Sequence, residues 1–519
     1  MIGAPAGISQ TPDNSDDRSS RYDLVPYPSR AYPETHPDRL RVMAMLFGLD
    51  PPPVETSRIL EIGCGDGSNI IPIAFSLPQA DCVGIDFACK PVEASQSLIR
   101  RTGIENVKCE VMDVRDITTA FGTFDYIVAH GFFSWVPAPV KEKLLTICHD
   151  NLAPTGVAFV SYNTYPAGHI REASRELMLF HLQQNRGTTT LVSRGMAFLQ
   201  DLQRMINGND LWQATIREEV ERLTKRHTNT VFHDEFSPIY SPVYFKDFVS
   251  AAERLGLQFL SEALLEDMIN PHITPEVEQR LNELANGDLI SYYQYVDFVL
   301  FRGFRRTLLC HRDIELKRDA LSQGLQRLWI ASPLVRSLGA LDGGYEFRSR
   351  CGTGTYTTKN PIMLSVLDHL EAIWPNAERF DFLLKRISEP LPPELKRQAI
   401  DNLAPNLLML AAGTLIDIRS YPIPLPDRVP SHPTATPLER IQAQEGTMIT
   451  TLLHTQVQIT DDHVRFLLLL LDGNRDREAL IEAFVSHYPH LTRQVSEQQI
   501  DTVLHSFYKL GILTTSKYQ

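Results

Sequence analysis

Residues 58–68 read Arg-Ile-Leu-Glu-Ile-Gly-Cys-Gly-Asp-Gly-Ser, an apolar run that passes straight into glycines at alternate positions, Gly63, Gly65 and Gly67. Such a junction needs backbone angles that glycine alone adopts freely, and it lets a nucleotide come close to the chain beside the free N–H groups of a following helix. It predicts a strand–turn–helix unit at the binding edge of an α/β sheet. In a dinucleotide fingerprint the third glycine would fall at position 68, which is Ser68 here, so the phosphate-wrapping spacing is broken.

The chain has 519 residues, too many for one ordinary core, and the length prior gives roughly three domains. No run of 18 apolar residues occurs, and residues 1–20 are polar and acidic without a basic-then-apolar leader pattern. A disordered tail over 1–20, no membrane insertion and a cytoplasmic location are expected. The seven cysteines include no C-x-x-C pair and no His/Cys spacing suited to zinc, so neither disulfides nor a metal is expected. A formal charge of −13 opposes the electrostatic attraction that nucleic-acid binders exploit, and no nucleic-acid partner is expected.

After the glycine turn, strand-like runs at 82–86, 107–112, 124–129 and 156–162 alternate with helical patterns near 68–77, 91–102 and 138–151. Short apolar strands separated by helices of this length predict right-handed βαβ units in a parallel sheet, with ligands bound beyond the carboxyl ends of the strands. The alternation stops at Pro166, where three helical stripes follow, and it resumes with a helix at 244–255, a strand at 257–261, helices over 275–302 and a last strand at 307–310. The predicted organisation is an α/β, Rossmann-like catalytic unit over 21–311 with a helical insertion at 167–240. A mixed α/β unit at 312–421, a Pro-rich linker at 422–437 and a helical, winged-helix-like module at 438–519 follow.

Candidate chemistry gathers at the predicted strand ends. Asp86, 19 residues after Gly67, is placed to accept the ribose hydroxyls of an adenosine, and Asp113 to accept from an adenine amine. Glu61 ends the first strand, where it can approach the other end of such a cofactor. His130-Gly-Phe-Phe-Ser-Trp135 and Ser161-Tyr-Asn-Thr-Tyr-Pro166 follow the next two strands. Their aromatic and amide groups suit the confinement of an amine acceptor, with His130 as either a base or a hydrogen-bonded core histidine.

These residues resemble a family. The run Tyr22–Pro28, Glu61-Ile-Gly-Cys-Gly-Asp-Gly67, His130–Pro137, Ser161–Pro166, Pro242-Val-Tyr-Phe245 and Arg302–His311 are similar to bacterial class I methyltransferases that carry a methyltransferase regulatory domain. That family includes lysine methyltransferases of outer-membrane proteins. The resemblance implies S-adenosylmethionine as donor, a protein lysine as acceptor, and a homodimer formed through the helical insertion. Cofactor contacts are expected from Tyr27, Glu61, Gly63, Cys64, Gly65, Gly67, Asp86, Phe87, Asp113, Val114 and His130, and catalytic contacts from His130, Trp135, Tyr162, Asn163 and Tyr165. Two departures touch the acceptor side: Pro166-Ala-Gly-His169 stands where Pro-Gly-Trp-His is expected, and Phe236-Ser-Pro-Ile-Tyr-Ser241 replaces an acidic stretch. A small-molecule methyltransferase and a non-catalytic cofactor-binding regulator stand as the alternatives.

Overall fold

A computed structural model describes residues 21–515 except 185–190, 207, 209, 271, 338–343, 351 and 353. The expected tail over 1–20 lies outside the described residues. A seven-stranded sheet organises the first half of the chain: β1 (Arg58–Ile62), β2 (Asp81–Asp86), β3 (Val107–Val111), β4 (Phe124–Ala129), β5 (Leu152–Asn163), β6 (Leu257–Glu262) and β7 (Phe304–His311). Its order is β3-β2-β1-β4-β5-β7-β6. β1 to β5 pair in parallel, as their alternation with helices predicts.

The all-parallel expectation fails at one edge, because β7 runs antiparallel to both β5 and β6. The cause is the connection. After β6 the chain makes an excursion through helices Pro275–Ala285 and Leu289–Leu300 and re-enters the sheet at the end where β5 finishes, so that Phe304 pairs with Asn163. β7 can then only run back, and it brings Phe304, Arg305 and Arg306 to the ligand edge.

Alternate residues of the strands face two cores. Leu60, Ile62, Ile127, Ala129, Val160 and Tyr162 point to one face, covered by Val140, Leu144, Phe245, Phe248 and Val249 of helices Ala138–Asp150 and Phe245–Arg254. On the other face Ile59, Tyr126, Val128, Phe159 and Leu308 share a single core with Leu325, Ile330, Leu367, Leu407 and Ile418. Residues 312–421 therefore pack directly on the sheet. Among the described residues they form two small three-stranded sheets with helices Pro361–Ile373, Phe380–Ser388 and Pro393–Ala412, and strands Tyr345–Ser349 and Thr355–Thr358 pair antiparallel.

Among its described residues the insertion contains four helices where the sequence predicts three: Gly168–Gln184, Leu191–Met205, Leu211–Thr224 and Thr228–Glu235. They have a small core of their own around Met178, Leu199, Ile216, Val220 and Phe236. The Pro-rich stretch 422–437 is not a loose linker. Leu425 and Ala435 are buried in it, and bridges from Thr434 to Asp472 and from Ala435 to Leu513 stitch its end into the C-terminal module. That module comprises helices Pro437–Glu445, Asp462–Leu469, Arg477–His487 and Arg493–Lys509 with a hairpin of Met448–Thr450 and Gln456–Gln458. Its first helix opens with a capping box between Thr436 and Glu439. Among the described residues no helix is long and apolar enough to cross a membrane.

Candidate active site

The glycine turn is fastened to the end of β2: the N–H groups of Gly63 and Cys64 donate to the Ile85 carbonyl at 2.8 and 3.0 Å. All three glycines are left-handed, with φ of 79°, 53° and 77° for Gly63, Gly65 and Gly67. A Cβ on Gly67 would stand 2.7 Å from the Ile71 side chain, and one on Gly63 3.1 Å from the Phe132 ring, so a side chain at either position would have to push a neighbour aside as well as adopt the left-handed backbone. Cys64 is buried within the turn, and the Cys109 sulfur beside it, together with burial, pushes its thiol well up.

Asp86 faces this turn. One carboxylate oxygen accepts from the Gly65 N–H at 2.9 Å and the other from the Ala88 N–H at 2.9 Å. Each oxygen keeps a second lone pair, which is what a pair of ribose hydroxyls requires. Phe87 follows, half-buried, and Val114 opens a turn after β3 with its side chain in the core. Asp113 departs from expectation. Its carboxylate is taken by the Arg115 guanidinium at 2.5 to 3.0 Å and by the Arg115 N–H, which hold it below the usual carboxylate range in a surface turn. The carboxylate intended for an adenine amine thus already has a fixed cationic partner two residues away.

Glu61 has the least satisfied environment in the site. Oε1 accepts from the Asn69 amide at 2.7 Å, while Oε2 is buried without a hydrogen-bond partner among the described residues. Burial pushes this carboxyl up to about 8, against the opposing Asn69 hydrogen bond. A buried carboxyl oxygen left open beside a glycine turn fits a group that brings its own positive charge, such as the ammonium of a bound amino acid.

The N-terminal segment lies over this edge. Asp23 accepts from the Lys90 N–H at 2.9 Å, Ser29 approaches Gly65, and the Val25 and Pro26 carbonyls accept from His233 and Asn229 of the insertion. Tyr27 is half-buried, edge-on to His233 at 5.7 Å, and burial keeps its hydroxyl protonated. Beyond β4, the His130 ring sits between Tyr32 at 4.0 Å, Phe159 at 5.9 Å and Phe304 at 6.2 Å, and Nδ1 meets the Ser161 hydroxyl at 3.2 Å. Burial lowers its pKa to about 4, so the imidazole is neutral at pH 7 and much too weak a base to take a proton from an ammonium.

The expected acceptor residues do not converge on one channel. Tyr162 faces the opposite side of the sheet, fully buried, stacked on Phe248 at 4.1 Å with its hydroxyl 3.0 Å from Thr307, and this overturns its assignment as a catalytic residue. The Asn163 amide oxygen accepts from Arg171 at 3.1 Å, and the Trp135 ring, 5.3 Å from Tyr240, is covered by the Arg171 guanidinium at 5.1 Å. Arg171 is itself bonded to Glu235 at 2.7 Å. Tyr165, like Trp135, is half-exposed, its hydroxyl donating to Glu172 at 2.8 Å and its ring near Tyr244 at 5.0 Å. His169 of the divergent Pro166–His169 segment stacks on Tyr165 at 4.2 Å.

Three family descriptions match the sequence: a methyltransferase domain over residues 59–156, a predicted methyltransferase regulatory domain over 227–311, and a PKMT C-terminal winged helix domain over 431–507. The uncharacterized protein RP028 of Rickettsia prowazekii is 33% identical over 240 residues, covering 46% of this chain and 96% of that protein. The chain belongs to the S-adenosylmethionine-dependent class I methyltransferases that carry a regulatory domain. Another uncharacterized R. prowazekii protein, RP789, is 28% identical over 481 residues, covering 90% of this chain and 86% of its own length. The fold is that of PKMT2 from Rickettsia typhi, solved in complex with AdoHcy, at a TM-score of 0.83 and 24% identity over 94% of this chain and all of that one.

For a methyltransferase of this family, the sequence reading missed Asn69, Tyr32, Ser161 and His454. Asn69 carried a faint signal, being a polar residue that precedes the otherwise apolar helix Ile70–Ser76. It accepts from the Tyr32 N–H at 2.9 Å, donates to Thr35 at 3.0 Å and to Glu61, and meets His454 of the C-terminal module at 3.0 Å.

Proposed function

We propose that this methyltransferase modifies lysine side chains of a protein, by direct in-line transfer to the amine nitrogen. S-adenosylmethionine, when bound, supplies a methyl group activated by a sulfonium. The observation that carries the donor half is the buried, unpartnered Oε2 of Glu61 beside the glycine turn and Asp86. In this reading Glu61 takes the donor's ammonium, Asp86 accepts from the ribose hydroxyls, and the turn leaves room for the nucleoside. His130, being neutral, sits near the methyl end without opposing the positive sulfonium.

The acceptor half is supported by the PKMT winged-helix match and by the size of the accessory modules, which suit a macromolecular partner. A lysine must lose its proton before attack. At a reference pKa near 10.4, about one side chain in 2,500 is neutral at pH 7. Entry past Tyr165, Tyr244 and the rings around His130 strips water from the ammonium and favours the neutral amine. The exposed Phe180, Met205, Leu211 and Trp212 of the insertion suit burial in a homodimer, which light scattering of the full chain tests. This reading also puts the reaction in the cytoplasm.

Incubating the chain with isotopically labelled donor and whole-cell protein, then locating label by mass spectrometry, tests the proposal. Label on lysine Nζ is the expected outcome. Label recovered only in small molecules would refute the protein acceptor.

A further inference from the structure

His454 is 385 residues from Asn69 in sequence, yet its Nε2 lies 3.0 Å from the Asn69 amide oxygen. It occupies the tip of the Met448–Gln458 hairpin, where the Thr451 N–H donates to the Thr455 carbonyl at 2.9 Å and the two hydroxyls meet at 3.0 Å. The tip is inserted deeply: Leu452 belongs to the core under the sheet, and the His454 ring is buried, 5.2 Å from that of His36. His454 also holds φ at 55°, a left-handed conformation that a residue with a side chain adopts at a cost. A strained, buried, polar residue carried from a separate module into the floor of the donor site calls for a function there.

The hydrogen bonds around Asn69 define that function. The amide oxygen accepts from the Tyr32 N–H and faces His454, and the amide nitrogen donates to Thr35 and to Glu61. The Thr35 hydroxyl is spent on the Tyr32 carbonyl at 2.8 Å, so it can accept from Asn69. One amide orientation satisfies all of these contacts, and it requires His454 to carry its proton on Nε2. The nearby His36 is fixed likewise, accepting from the Asp38 N–H at Nδ1 and meeting the Ser76 hydroxyl through Nε2. Among the described residues Nδ1 of His454 has no partner, which leaves the Asn69 contact as the polar purpose of the ring.

We propose that His454, delivered by the C-terminal module, is a positioning residue for the amino-acid end of the donor: it holds Asn69, and Asn69 holds Glu61 toward the donor's ammonium. Donor affinity is thereby tied to the docking of the C-terminal module on the sheet. The inference rests on the donor reading given above, and the test separates the two.

The experiment is calorimetric titration of the full chain with two ligands, S-adenosylhomocysteine and 5′-methylthioadenosine, which keeps the nucleoside and thioether but lacks the amino-acid end. His454→Ala weakens the first by about threefold to tenfold, the scale of one lost hydrogen bond, and leaves the second within about twofold. His454→Gln, whose amide N–H reaches the same place, restores most of the loss. In turnover the Ala variant raises the donor KM and spares kcat at saturating donor. Equal weakening of both ligands, no weakening, or a Gln variant as weak as Ala overturns the inference. If His454→Ala does not fold, His454→Met, which fills the space without a donor, takes its place under the same criteria. A wild-type chain that binds neither ligand overturns the donor reading itself, a result distinct from any failure of His454.

Discussion

On the proposed role of Glu61, its raised carboxyl makes donor binding a proton-linked event. In the unliganded protein burial holds its pKa at about 8, so near pH 7 about nine sites in ten carry the proton. A donor ammonium at the open Oε2 favours the ionised form, so binding expels that proton. Ionising the group at pH 7 costs about 1.4 kcal/mol, one pH unit's worth. Affinity should therefore climb by close to tenfold per pH unit from pH 6 and level off above pH 8, a total gain of roughly fiftyfold between pH 6 and 8. His36, His130 and His454 are all shifted below the ordinary imidazole range by burial, so they contribute no titration in this window. Stability of the free protein changes the other way. A carboxyl raised from 4.5 contributes fully below that value and loses its contribution as pH rises through about 8, so the unliganded chain weakens where donor binding strengthens. The assay is titration with S-adenosylhomocysteine at pH 6, 7 and 8 in buffers of different ionisation enthalpy, which counts protons released. Glu61→Gln serves as control, because it retains an oxygen acceptor for Asn69 and has nothing to titrate. A wild-type affinity flat with pH, or a Gln variant that keeps the same slope and proton release, would refute the reasoning.

Three further outcomes are expected. Asp86→Ala weakens donor binding by about 1–3 kcal/mol, since it removes charge-assisted hydrogen bonds to the ligand together with those to the Gly65 and Ala88 N–H groups; an unchanged dissociation constant would end its assignment to the ribose. Tyr162→Phe costs about 1 kcal/mol in denaturant unfolding through loss of the Thr307 contact and leaves kcat within about twofold, whereas a large fall in kcat would return Tyr162 to the acceptor site. Arg305→Ala destabilises the chain by about 3–5 kcal/mol, because the buried guanidinium is bonded to Glu262 at 2.5 Å and to Asp297 at 2.7 and 2.9 Å, and its removal leaves, among the described residues, the Glu262 carboxylate with only the Arg306 N–H and the Thr307 hydroxyl and that of Asp297 with only Arg302; a loss under about 1 kcal/mol would show that this cluster is not holding β6, β7 and helix Leu289–Leu300 together.

What the sequence revealed and what it concealed follow from the range of the forces involved. The glycine turn, the strands around it and the place of Asp86 at the end of β2 were legible because each rests on local rules: positive φ, apolar alternation and the short reach of a βαβ unit. The direction of β7 was not legible, since it depends on the end of the sheet at which a long helical excursion happens to return. Tyr162 and Asn163 were assigned together although neighbouring residues of one strand point to opposite faces. Parity in β5 is set by pairing with β4 and β7, which no local pattern supplies. Ser161 and Asn163 therefore share the face opposite to that of Tyr162, which enters the core with Phe248. The Glu61–Asn69–His454 chain was the least visible, because a hydrogen bond spanning 385 residues leaves no spacing to read. Its members share a reason for existing all the same. A carboxyl left half-satisfied keeps its place only where its neighbour is itself held by further hydrogen bonds, as Asn69 is by Tyr32, Thr35 and His454. The segment before β1 supplies Tyr32 and Thr35, the start of helix Ile70–Ser76 supplies Asn69, and the remaining donor comes from the far end of the chain.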